Sequence, residues 1–277
     1  MTLLDGKRIA SEIRRELRDR VLQMRKKPEL AVVLVGEDPA SEIYVKGKVN
    51  ACREVGIGSR VCRLPKSATQ NEVETLVSSL VDNVEINGIL VQLPLPEGLD
   101  SDKILGLIPP RKDVDGFSPV NFGKIALGEN ATSACTPQGV IELLTRYQID
   151  LRGKRAVVVG RSKIVGRPLT MLLLNRDATV TVCHSKTEQL KEECLKADIL
   201  IVAIGKPRYI TGDMIKKGAV VVDVGINRGE NGKLCGDVDF ESAKEKASFI
   251  TPVPGGVGPM TIAMLLRNTI EAAERAE

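Results

Sequence analysis

The sequence predicts an α/β fold made of two doubly wound lobes with a ligand cleft between them. Apolar, β-branched runs alternate with segments of helical periodicity along most of the chain, as is typical of parallel sheets covered by helices. This alternation begins once after the opening helix and again near residue 120. In such sheets, ligands bind at the carboxyl ends of the strands.

The first lobe opens with a helix, which is followed by a buried strand at 29–38. Asp38 is placed to cap the next helix, which begins at Pro39 and closes at Gly56. A second strand (SRVCRLP), a helix from Thr69 to Val81 and a third strand (INGILVQLPLP) complete the pattern.

The second lobe begins with the helical segment PQGVIELLTRY. Four strands follow, beginning at Arg155, Ala178, Asp198 and Ala219. The last helical segment, PMTIAMLLRNTIEAAERA, has one apolar face, which fits packing against the first lobe. We therefore expect residues 1–119, completed by 256–277, to form one domain and residues 120–255 to form the other.

The segment from Arg155 to Pro168 (RAVVVGRSKIVGRP) predicts a strand, a tight loop and a helix of the kind that holds a dinucleotide. Gly160 permits the turn, while Gly166 and Pro168 suit a first helical turn whose free N–H groups can face a pyrophosphate. The pattern departs from GxGxxG, because Ser162 occupies the second glycine position and the last glycine comes one residue late. The second lobe is therefore predicted to be a Rossmann-type dinucleotide-binding domain.

The tip of the next strand (ATVTVC) bears on the choice of cofactor. Folds that bind NAD typically carry Asp or Glu there, which accepts hydrogen bonds from the ribose 2′-OH. Here the strand is followed by His184–Thr187 (HSKT), and Arg161 and Ser162 lie in the first loop. Hydroxyls and cations favour the 2′-phosphate of NADP, although a solvated turn that caps the next helix is also compatible with these residues.

Composition excludes other classes of function. The 277 residues include 40 Lys and Arg against 36 Asp and Glu, with no tryptophan, three tyrosines and four phenylalanines. Nucleic-acid binding therefore lacks both concentrated positive charge and stacking side chains. No apolar run approaches the roughly 20 residues that would cross a bilayer. We expect no nucleic-acid or membrane partner.

Cysteine and histidine usage limits the chemistry. The six cysteines are far apart and form no CxxC pair, which indicates reduced thiols in a cytoplasmic protein rather than a zinc site or disulfides. His184 is the single histidine, so histidine-based triads and multi-histidine metal sites are strongly disfavoured. Proton transfer in an enzyme of this sequence must use other side chains or the substrate.

Polar residues of the first lobe are candidates for that chemistry. Tyr44 and Lys48 share one helical face, although the same spacing fits an anchored ring beside a solvated amine. Gln92 ends an apolar strand, where an amide needs a partner. Asp113 and Asp115, in RKDVDGF, suit either a site or an ordinary turn.

The glycine- and proline-rich segment TPVPGGVGPMT, at 251–261, combines close backbone approach with restricted flexibility. It suits a wall of a ligand cleft, although it could equally be only a loop before the last helix.

Nine segments in order resemble the bifunctional methylenetetrahydrofolate dehydrogenase and methenyltetrahydrofolate cyclohydrolase family, and the resemblance covers nearly the whole chain. They are SEIYVKGK, GILVQLPLP, KDVDGF, CTPQG, GRSKIVGRP, VTVCHSKT, DVGIN, GDVDF and PVPGGVGPMT. One departure is Ala134, which stands where the family usually has proline before CTP.

The resemblance implies a role for individual residues. Lys48 would be the central catalytic group, Tyr44 would position or stack on the folate, Gln92 would hydrogen-bond Lys48, and Asp115 would hold the pterin ring. The implied NADP contacts are Gly160, Arg161, Ser162, Ser185 and Ile226. The implied substrate contacts are Tyr44, Gln92, Asp115, Pro254, Gly255 and Gly256.

The resemblance also implies the reaction. With NADP, 5,10-methylenetetrahydrofolate would be oxidised to the 5,10-methenyl form, which would be hydrolysed to 10-formyltetrahydrofolate in the same cleft without a metal. A cytoplasmic homodimer, joined through the cofactor lobe and acting in one-carbon metabolism and purine biosynthesis, is further implied. NAD use stays open, as does the relative strength of the two activities.

Two alternatives remain from the residues alone. Another two-lobed NAD(P)-dependent dehydrogenase would share the strands and the GRS loop, but it would not need YVKGK, VQLPLP and KDVDGF together. A non-catalytic dinucleotide sensor would not need Lys48 and Gln92.

Overall fold

A computed structural model describes residues 1–229 and 232–276. The chain forms two compact units. The six-stranded unit comprises Met1–Ala10 and Thr136–Thr261, and the three-stranded unit comprises Ser11–Cys135 and Ile262–Glu277. The predicted α/β class, with parallel sheets in two lobes, is confirmed.

The predicted strands and helices occur in the predicted order, with further short elements between them. Up to the middle of the chain they are β1 (Thr2–Leu3), α1 (Gly6–Gln23), β2 (Glu29–Val35), α2 (Pro39–Val55), β3 (Gly58–Leu64), α3 (Gln70–Asp82), β4 (Gly88–Val91), α4 (Ser101–Gly106), α5 (Pro119–Ala126) and α6 (Cys135–Arg146). The remaining ones are β5 (Arg155–Val159), α7 (Gly166–Leu174), β6 (Thr179–Cys183), α8 (Leu190–Leu195), β7 (Ile199–Val202), β8 (Val220–Asp223), β9 (Asn227–Arg228), β10 (Leu234–Cys235), α9 (Phe240–Lys244), β11 (Phe249–Ile250) and α10 (Val257–Glu274).

The three-stranded unit is built on a parallel sheet of order β3-β2-β4. In the central strand β2, every residue from Leu30 to Val35 is buried. A strand with neighbours on both sides and helices on both faces favours such an unbroken apolar run. The carboxyl ends of β2 and β4 therefore lie at the same edge of this sheet.

Capping residues fix the helices of this unit where the sequence places them. The Asp38 carboxylate accepts a 2.8 Å hydrogen bond from Ser41 N, and Gly56 ends α2 in the left-handed region at φ 89°. Thr69 caps α3 in a reciprocal capping box with Glu72. The predicted boundaries of α2 and α3 are confirmed to within one residue.

Lys112 is a buried cation that the sequence pattern does not reveal. Its Nζ donates hydrogen bonds of 2.8 Å to Val81 O and 2.7 Å to Asn83 O, so it caps the carboxyl end of α3. Burial lowers the pKa of this amine. The lysine thereby satisfies helix carbonyls that have no intrahelical partner.

The six-stranded unit contains a parallel sheet of order β1-β11-β8-β7-β5-β6. Its core is lined by apolar residues of the central strands, among them Val157, Leu200 and Val221. Strand β1 pairs with β11 through Thr2 with Phe249 and Leu3 with Ile250. Residues Thr2 and Leu3 thus form an edge strand of the sheet in the six-stranded unit. The other strands of that sheet lie within Thr136–Thr261.

The limits of the compact units differ from the boundaries expected from the sequence. The units divide after Ala10, Cys135 and Thr261, whereas the sequence pattern places boundaries at 119/120 and 255/256. Helix α5 stays with the three-stranded unit, where Asn121 Nδ2 donates to Pro110 O at 3.1 Å. Pairing of β1 with β11 accounts for the assignment of residues 1–10.

Candidate active site

Lys48 and Gln92 meet in the three-stranded unit. Lys48 Nζ donates a 3.0 Å hydrogen bond to Gln92 Oε1, and Gln92 Nε2 donates a 2.7 Å bond to Leu93 O. Gln92 directly follows β4, and its backbone N–H bonds to Val33 O of β2. Because the amide nitrogen is occupied by a carbonyl, the amide oxygen faces the lysine.

Tyr44 lies one helical turn before Lys48 on α2. Its side chain is 45% exposed, unlike the neighbouring Val45, which is buried in the unit. Positions i and i+4 share a helical face, so the phenol ring and the amine are neighbours on the surface of this unit. An exposed ring beside an amine is suited to stacking on a planar ligand.

Asp115 is electrostatically linked to Lys48. Burial raises the pKa of Asp115 to about 6, the Lys48 charge opposes this rise, and the neighbouring Asp113 carboxylate adds to it. A carboxyl group with a pKa near neutrality can either accept or donate a hydrogen bond to a heterocyclic ring. The structure therefore brings the four predicted catalytic residues onto one unit, with direct or electrostatic contact among Lys48, Gln92 and Asp115.

Asp113 holds the loop that carries Asp115. Its Oδ1 accepts from Gly116 N at 2.9 Å and Phe117 N at 3.1 Å, and its Oδ2 accepts from Ser118 N at 2.7 Å. Gly116 has φ 80°, and a Cβ there would lie 2.2 Å from the Ser133 carbonyl carbon. Asp113 therefore organises the loop, a role that its sequence context, an ordinary turn motif, does not distinguish.

Residues from distant parts of the sequence bond to the backbone at and next to Asp115. Cys135 N donates to Asp115 O at 3.2 Å, and Cys135 Sγ donates to Val114 O at 3.2 Å. The buried Asn268, on α10, donates through Nδ2 to Val114 O at 2.9 Å and Ser133 O at 3.2 Å. Sequence reasoning missed Asn268 because nothing local to a helical asparagine reveals a contact 154 residues away.

The glycines of the dinucleotide loop are required by close backbone approach. A Cβ at Gly160, which has φ 128°, would lie 2.2 Å from Ala203 O, and one at Gly166 would lie 2.1 Å from Gly160 O. The loop therefore packs directly against Ala203, which follows β7, and against Gly166, the first residue of α7. In a Rossmann fingerprint the first glycine permits the tight turn and the last permits close helix packing, which fits the positive φ of Gly160 and the close contact at Gly166.

Ser162 explains the departure from that fingerprint. Its Oγ accepts hydrogen bonds from Val165 N at 3.1 Å and Gly166 N at 3.4 Å, and its carbonyl accepts from Arg167 N at 3.1 Å. The serine therefore caps α7. Ser162 thus bonds the N–H groups of Gly166 and Arg167 in the first turn of α7, and the expectation that free N–H groups of this turn face a pyrophosphate stays a prediction.

The tip of β6 is a short, internally bonded turn. His184 N donates to Thr187 Oγ1 at 2.8 Å, and Lys186 N donates to His184 Nδ1 at 3.2 Å. Ser185 and Lys186 are exposed, as is Arg161 in the first loop. Because this turn carries cations and hydroxyls and no carboxylate from 184 to 187, its side chains fit a 2′-phosphate.

The remaining predicted residues lie in two loops of the six-stranded unit. Ile226 follows β8 and is 45% exposed. Pro254 is exposed, Gly255 has φ 105°, and its carbonyl accepts a 2.9 Å bond from Lys7 N. A Cβ at Gly256 would lie 2.6 Å from Pro252 O, so this loop is compact and needs its glycines.

Neither a metal centre nor a membrane span is found in the described part of the chain. Residues 1–229 and 232–276 contain no group of three or more His, Cys, Asp or Glu side chains placed to hold a metal ion. No helix within these residues combines the length and apolar character needed to cross a bilayer.

Comparisons with known proteins agree with this division of roles. A family model described as the catalytic domain of tetrahydrofolate dehydrogenase/cyclohydrolase matches residues 4–115. A second, described as the NAD(P)-binding domain of the same enzyme, matches residues 134–277.

Relatives match over nearly their full length. The chain is 58% identical over 276 residues to the bifunctional protein FolD of Moorella thermoacetica, with 99% of each covered. The crystal structure of the bifunctional enzyme from Campylobacter jejuni superposes with a TM-score of 0.98, at 52% identity and 99% coverage of both chains. The Trypanosoma brucei enzyme, complexed with NADP cofactor and inhibitor, gives 0.94 at 38% identity, covering 99% of this chain and 98% of that one. The chain therefore belongs to the tetrahydrofolate dehydrogenase/cyclohydrolase family.

Proposed function

We propose that Lys48, supported by Gln92, moves the protons in the hydrolytic step of a bifunctional enzyme. The enzyme oxidises 5,10-methylenetetrahydrofolate to the 5,10-methenyl form with NADP and hydrolyses that product to 10-formyltetrahydrofolate. The hydrogen bond from Lys48 Nζ to Gln92 Oε1 carries this proposal, because it fixes a proton-carrying amine in the unit that matches the catalytic domain.

The oxidation places few demands on acid–base groups. Bound NADP supplies the hydride acceptor. The carbon that loses hydride is bonded to two nitrogens, whose lone pairs stabilise the developing cation, so no side chain needs to remove a proton. Protein residues contribute alignment. We assign this to Asp115, which holds the pterin ring, to Tyr44, which stacks on the folate, and to the 254–256 loop, which contacts the substrate.

The hydrolysis requires proton transfer in both directions. Water adds to the cationic methenyl carbon and loses one proton on addition and the other as the formyl C=O forms. A ring nitrogen gains one proton as its bond to that carbon breaks, so one proton is released to solvent overall. A neutral Lys48 amine can take the proton from water through its lone pair while an N–H still donates to Gln92. The resulting ammonium then supplies the proton to the departing nitrogen.

Gln92 suits this cycle because it is uncharged. A carboxylate in its place would hold Lys48 as the ammonium and would oppose release of the proton. The amide instead accepts a hydrogen bond from either form of the amine, and its own N–H₂ remains bound to Leu93 O. The amine is therefore held in position without a charge that favours one protonation state.

Cofactor binding is assigned to the six-stranded unit. Gly160, Arg161 and Ser162 form the turn after β5, Ser185 lies at the tip of β6, and Ile226 follows β8. The exposed cations at 161 and 186, together with the absence of a carboxylate from 184 to 187, support recognition of a 2′-phosphate. The Trypanosoma brucei relative is complexed with NADP, which supports the same choice.

Two rate measurements on the purified chain test this function. The dehydrogenase is followed by the absorbance of the reduced cofactor, with methylenetetrahydrofolate and either NADP or NAD. The cyclohydrolase is followed by loss of methenyltetrahydrofolate absorbance in the absence of cofactor. Both activities are expected, with a higher kcat/KM for NADP than for NAD. Absence of both rates would refute the function, and loss of only the second would refute the role of Lys48.

We further propose a cytoplasmic homodimer that is joined through the six-stranded unit and provides formyl groups for purine biosynthesis. Free cysteines at all six positions support a reducing compartment. We retain the domain assignment of 1–119 with 256–277 for folate chemistry and 120–255 for the cofactor. Light scattering of the purified protein tests the dimer, and a monomeric mass at working concentration would refute it.

A further inference from the structure

Asp237 is a fully buried carboxylate, in the GDVDF segment, that the proposed chemistry does not use. Its Oδ2 accepts from Ile204 N at 2.6 Å and Gly205 N at 3.0 Å. Its Oδ1 accepts from Lys206 N at 2.9 Å and from Asn227 Nδ2 at 2.8 Å. One side chain thus binds the loop that follows β7 and the first residue of β9.

A second buried carboxylate, Asp223, holds Asp237 in place. Its Oδ1 accepts from Asp237 N at 3.0 Å and Gly225 N at 2.9 Å, and its Oδ2 accepts from Val238 N at 2.8 Å. Asp223 is the last residue of β8. The position of Asp237 is therefore fixed to the carboxyl end of the central part of the sheet.

Two glycines leave the space that these carboxylates fill. A Cβ at Gly225 would lie 2.2 Å from Asp237 Cγ, and a Cβ at Gly236 would lie 1.8 Å from Asp223 Oδ2. Neither glycine has a positive φ, so the requirement is for space and not for backbone conformation. The DVGIN and GDVDF segments therefore form one interlocked arrangement.

The two loops that Asp237 joins both contain or contact proposed cofactor residues. Ala203, just before the first loop, donates its N–H to Val159 O at 2.8 Å, and its carbonyl is the atom that excludes a Cβ at Gly160. Ile226 lies between Gly225, packed on Asp237, and Asn227, bonded to Asp237. Any shift of Asp237 would therefore move the supports of both the dinucleotide turn and Ile226.

We propose that Asp237 is a positioning residue for NADP, which sets the loop after β7 and the Ile226 loop in the arrangement that the cofactor needs. This inference rests on the proposed function, since Gly160 and Ile226 are cofactor residues only in that assignment. A carboxylate is required because two oxygens accept four hydrogen bonds. Asparagine has one acceptor oxygen, and its amide N–H₂ would face backbone donors on the other side.

The test uses the full chain with Asp237→Asn, and Asp213→Asn as the matched control. Asp213 is an exposed carboxylate of the same unit, paired with Lys191 at the surface. Four quantities are measured: the KM for NADP, the dehydrogenase kcat, the cyclohydrolase rate without cofactor, and the melting temperature. The cyclohydrolase rate serves as an internal control because that reaction consumes no NADP.

For Asp237→Asn, the KM for NADP is expected to rise about tenfold or more, in line with the loss of charge-assisted hydrogen bonds. The cyclohydrolase rate should stay within about twofold of the wild type, and Asp213→Asn should leave all four quantities near their wild-type values. An unchanged KM for NADP would overturn the proposal. Parallel loss of both activities in a variant whose melting temperature shows that it is folded would also overturn it, since that indicates a purely structural role.

Asn227→Ala keeps the test decisive if Asp237→Asn does not fold. It removes only the Nδ2 donor and leaves three backbone bonds to Asp237 in place. The KM for NADP should rise roughly threefold, less than in Asp237→Asn because three of the four hydrogen bonds to Asp237 remain, and the cyclohydrolase should be unaffected. A wild-type KM in this variant would overturn the proposal. Wild-type enzyme is assayed alongside. If the proposed function is wrong, the wild type has no NADP-dependent rate. If only this inference is wrong, the wild type has that rate and the variant has the same KM for NADP.

Discussion

Lys48 Nζ donates a 3.0 Å hydrogen bond to Gln92 Oε1, which joins the middle of α2 to the residue that follows β4. The two residues are 44 positions apart in the chain, and parallel pairing of β2 with β4 brings their elements together. Because Gln92 Nε2 is bound to Leu93 O, the pair has a defined direction. An amine held in this way can exchange a proton with a substrate without losing its position.

Replacing Lys48 with methionine tests that role. Lys48→Met keeps an unbranched side chain of similar length and removes the proton carrier, so the cyclohydrolase rate should fall by about 10²–10⁴-fold, the usual contribution of general acid–base catalysis. Binding of the reduced cofactor, NADPH, should be unchanged, as measured by titration of its own fluorescence. Lys46→Met, an exposed lysine on the same helix, is the control and should retain both properties. A cyclohydrolase rate near that of the wild type would refute the assignment.

Ser185 is the position at which cofactor choice is tested. Ser185→Asp places an anion where a 2′-phosphate is expected, so the KM for NADP should rise about tenfold or more through repulsion, with less than a threefold change for NAD. Ser185→Ala removes the hydroxyl without adding charge and should have a smaller effect on NADP. Steady-state kinetics with both cofactors measure the preference. An unchanged ratio of the two kcat/KM values would show that the tip of β6 does not contact the phosphate.

Asp115 makes stability depend on pH in a direction that can be calculated. Its pKa is raised to about 6, so between about pH 4 and 6 the folded state holds a proton that the unfolded state has released. Stability from this group is present below that window and is lost as pH rises through it, by up to roughly 3 kcal/mol. The free energy of unfolding of Asp115→Asn should therefore increase relative to that of the wild type as pH rises from 4 to 7.

Urea denaturation at several pH values measures this difference. Asp19→Asn, which alters an exposed carboxylate on α1, is the matched control and should follow the wild-type pH dependence. Parallel curves for the wild type and Asp115→Asn would contradict the raised pKa. The carboxylates with lowered pKa values, such as Asp38 and Asp198, contribute in the opposite direction but are common to both proteins.

Lys112 is expected to contribute stability and not catalysis. Lys112→Met leaves carbonyls at the end of α3 without their donor, which should cost about 1–3 kcal/mol of unfolding free energy. Lys103→Met, an exposed lysine of the same unit, should change it by no more than about 0.5 kcal/mol. Chemical denaturation of the two variants gives the comparison. Equal stabilities would mean that water satisfies the α3 carbonyls as well as the lysine does.

Local sequence signals predict those features whose causes are local. Asp38 and Thr69 lie at the starts of helices and Gly56 lies at the end of one. Each acts as a cap through contacts within a few residues. The GRS loop was recognisable because it follows a buried strand. The hydrogen bonds that Ser162 Oγ accepts from Val165 N and Gly166 N, in contrast, are seen only in the folded structure.

Side chains that act over long distances in the chain could not be predicted in the same way. Asp237, Asp113 and Lys112 look like ordinary loop residues, and Asn268 like an ordinary helical one. Their partners are set by which loops the sheets bring together, and a polar side chain gives no periodic signal for a distant backbone donor. The same reason hides β1, whose two residues pair with a strand near residue 250.

The class of fold, the family and the chemical types at the site can be predicted without the structure, because alternating periodicity and ordered motifs depend only on neighbouring residues. How those residues interact depends on the fold. In the folded chain Lys48 bonds to Gln92, and burial raises the pKa of Asp115. Ser162 accepts from N–H groups at the start of α7, and Asp237 binds two loops. Each of these depends on burial and on contacts between elements, which exist only once the parallel strands have set their order.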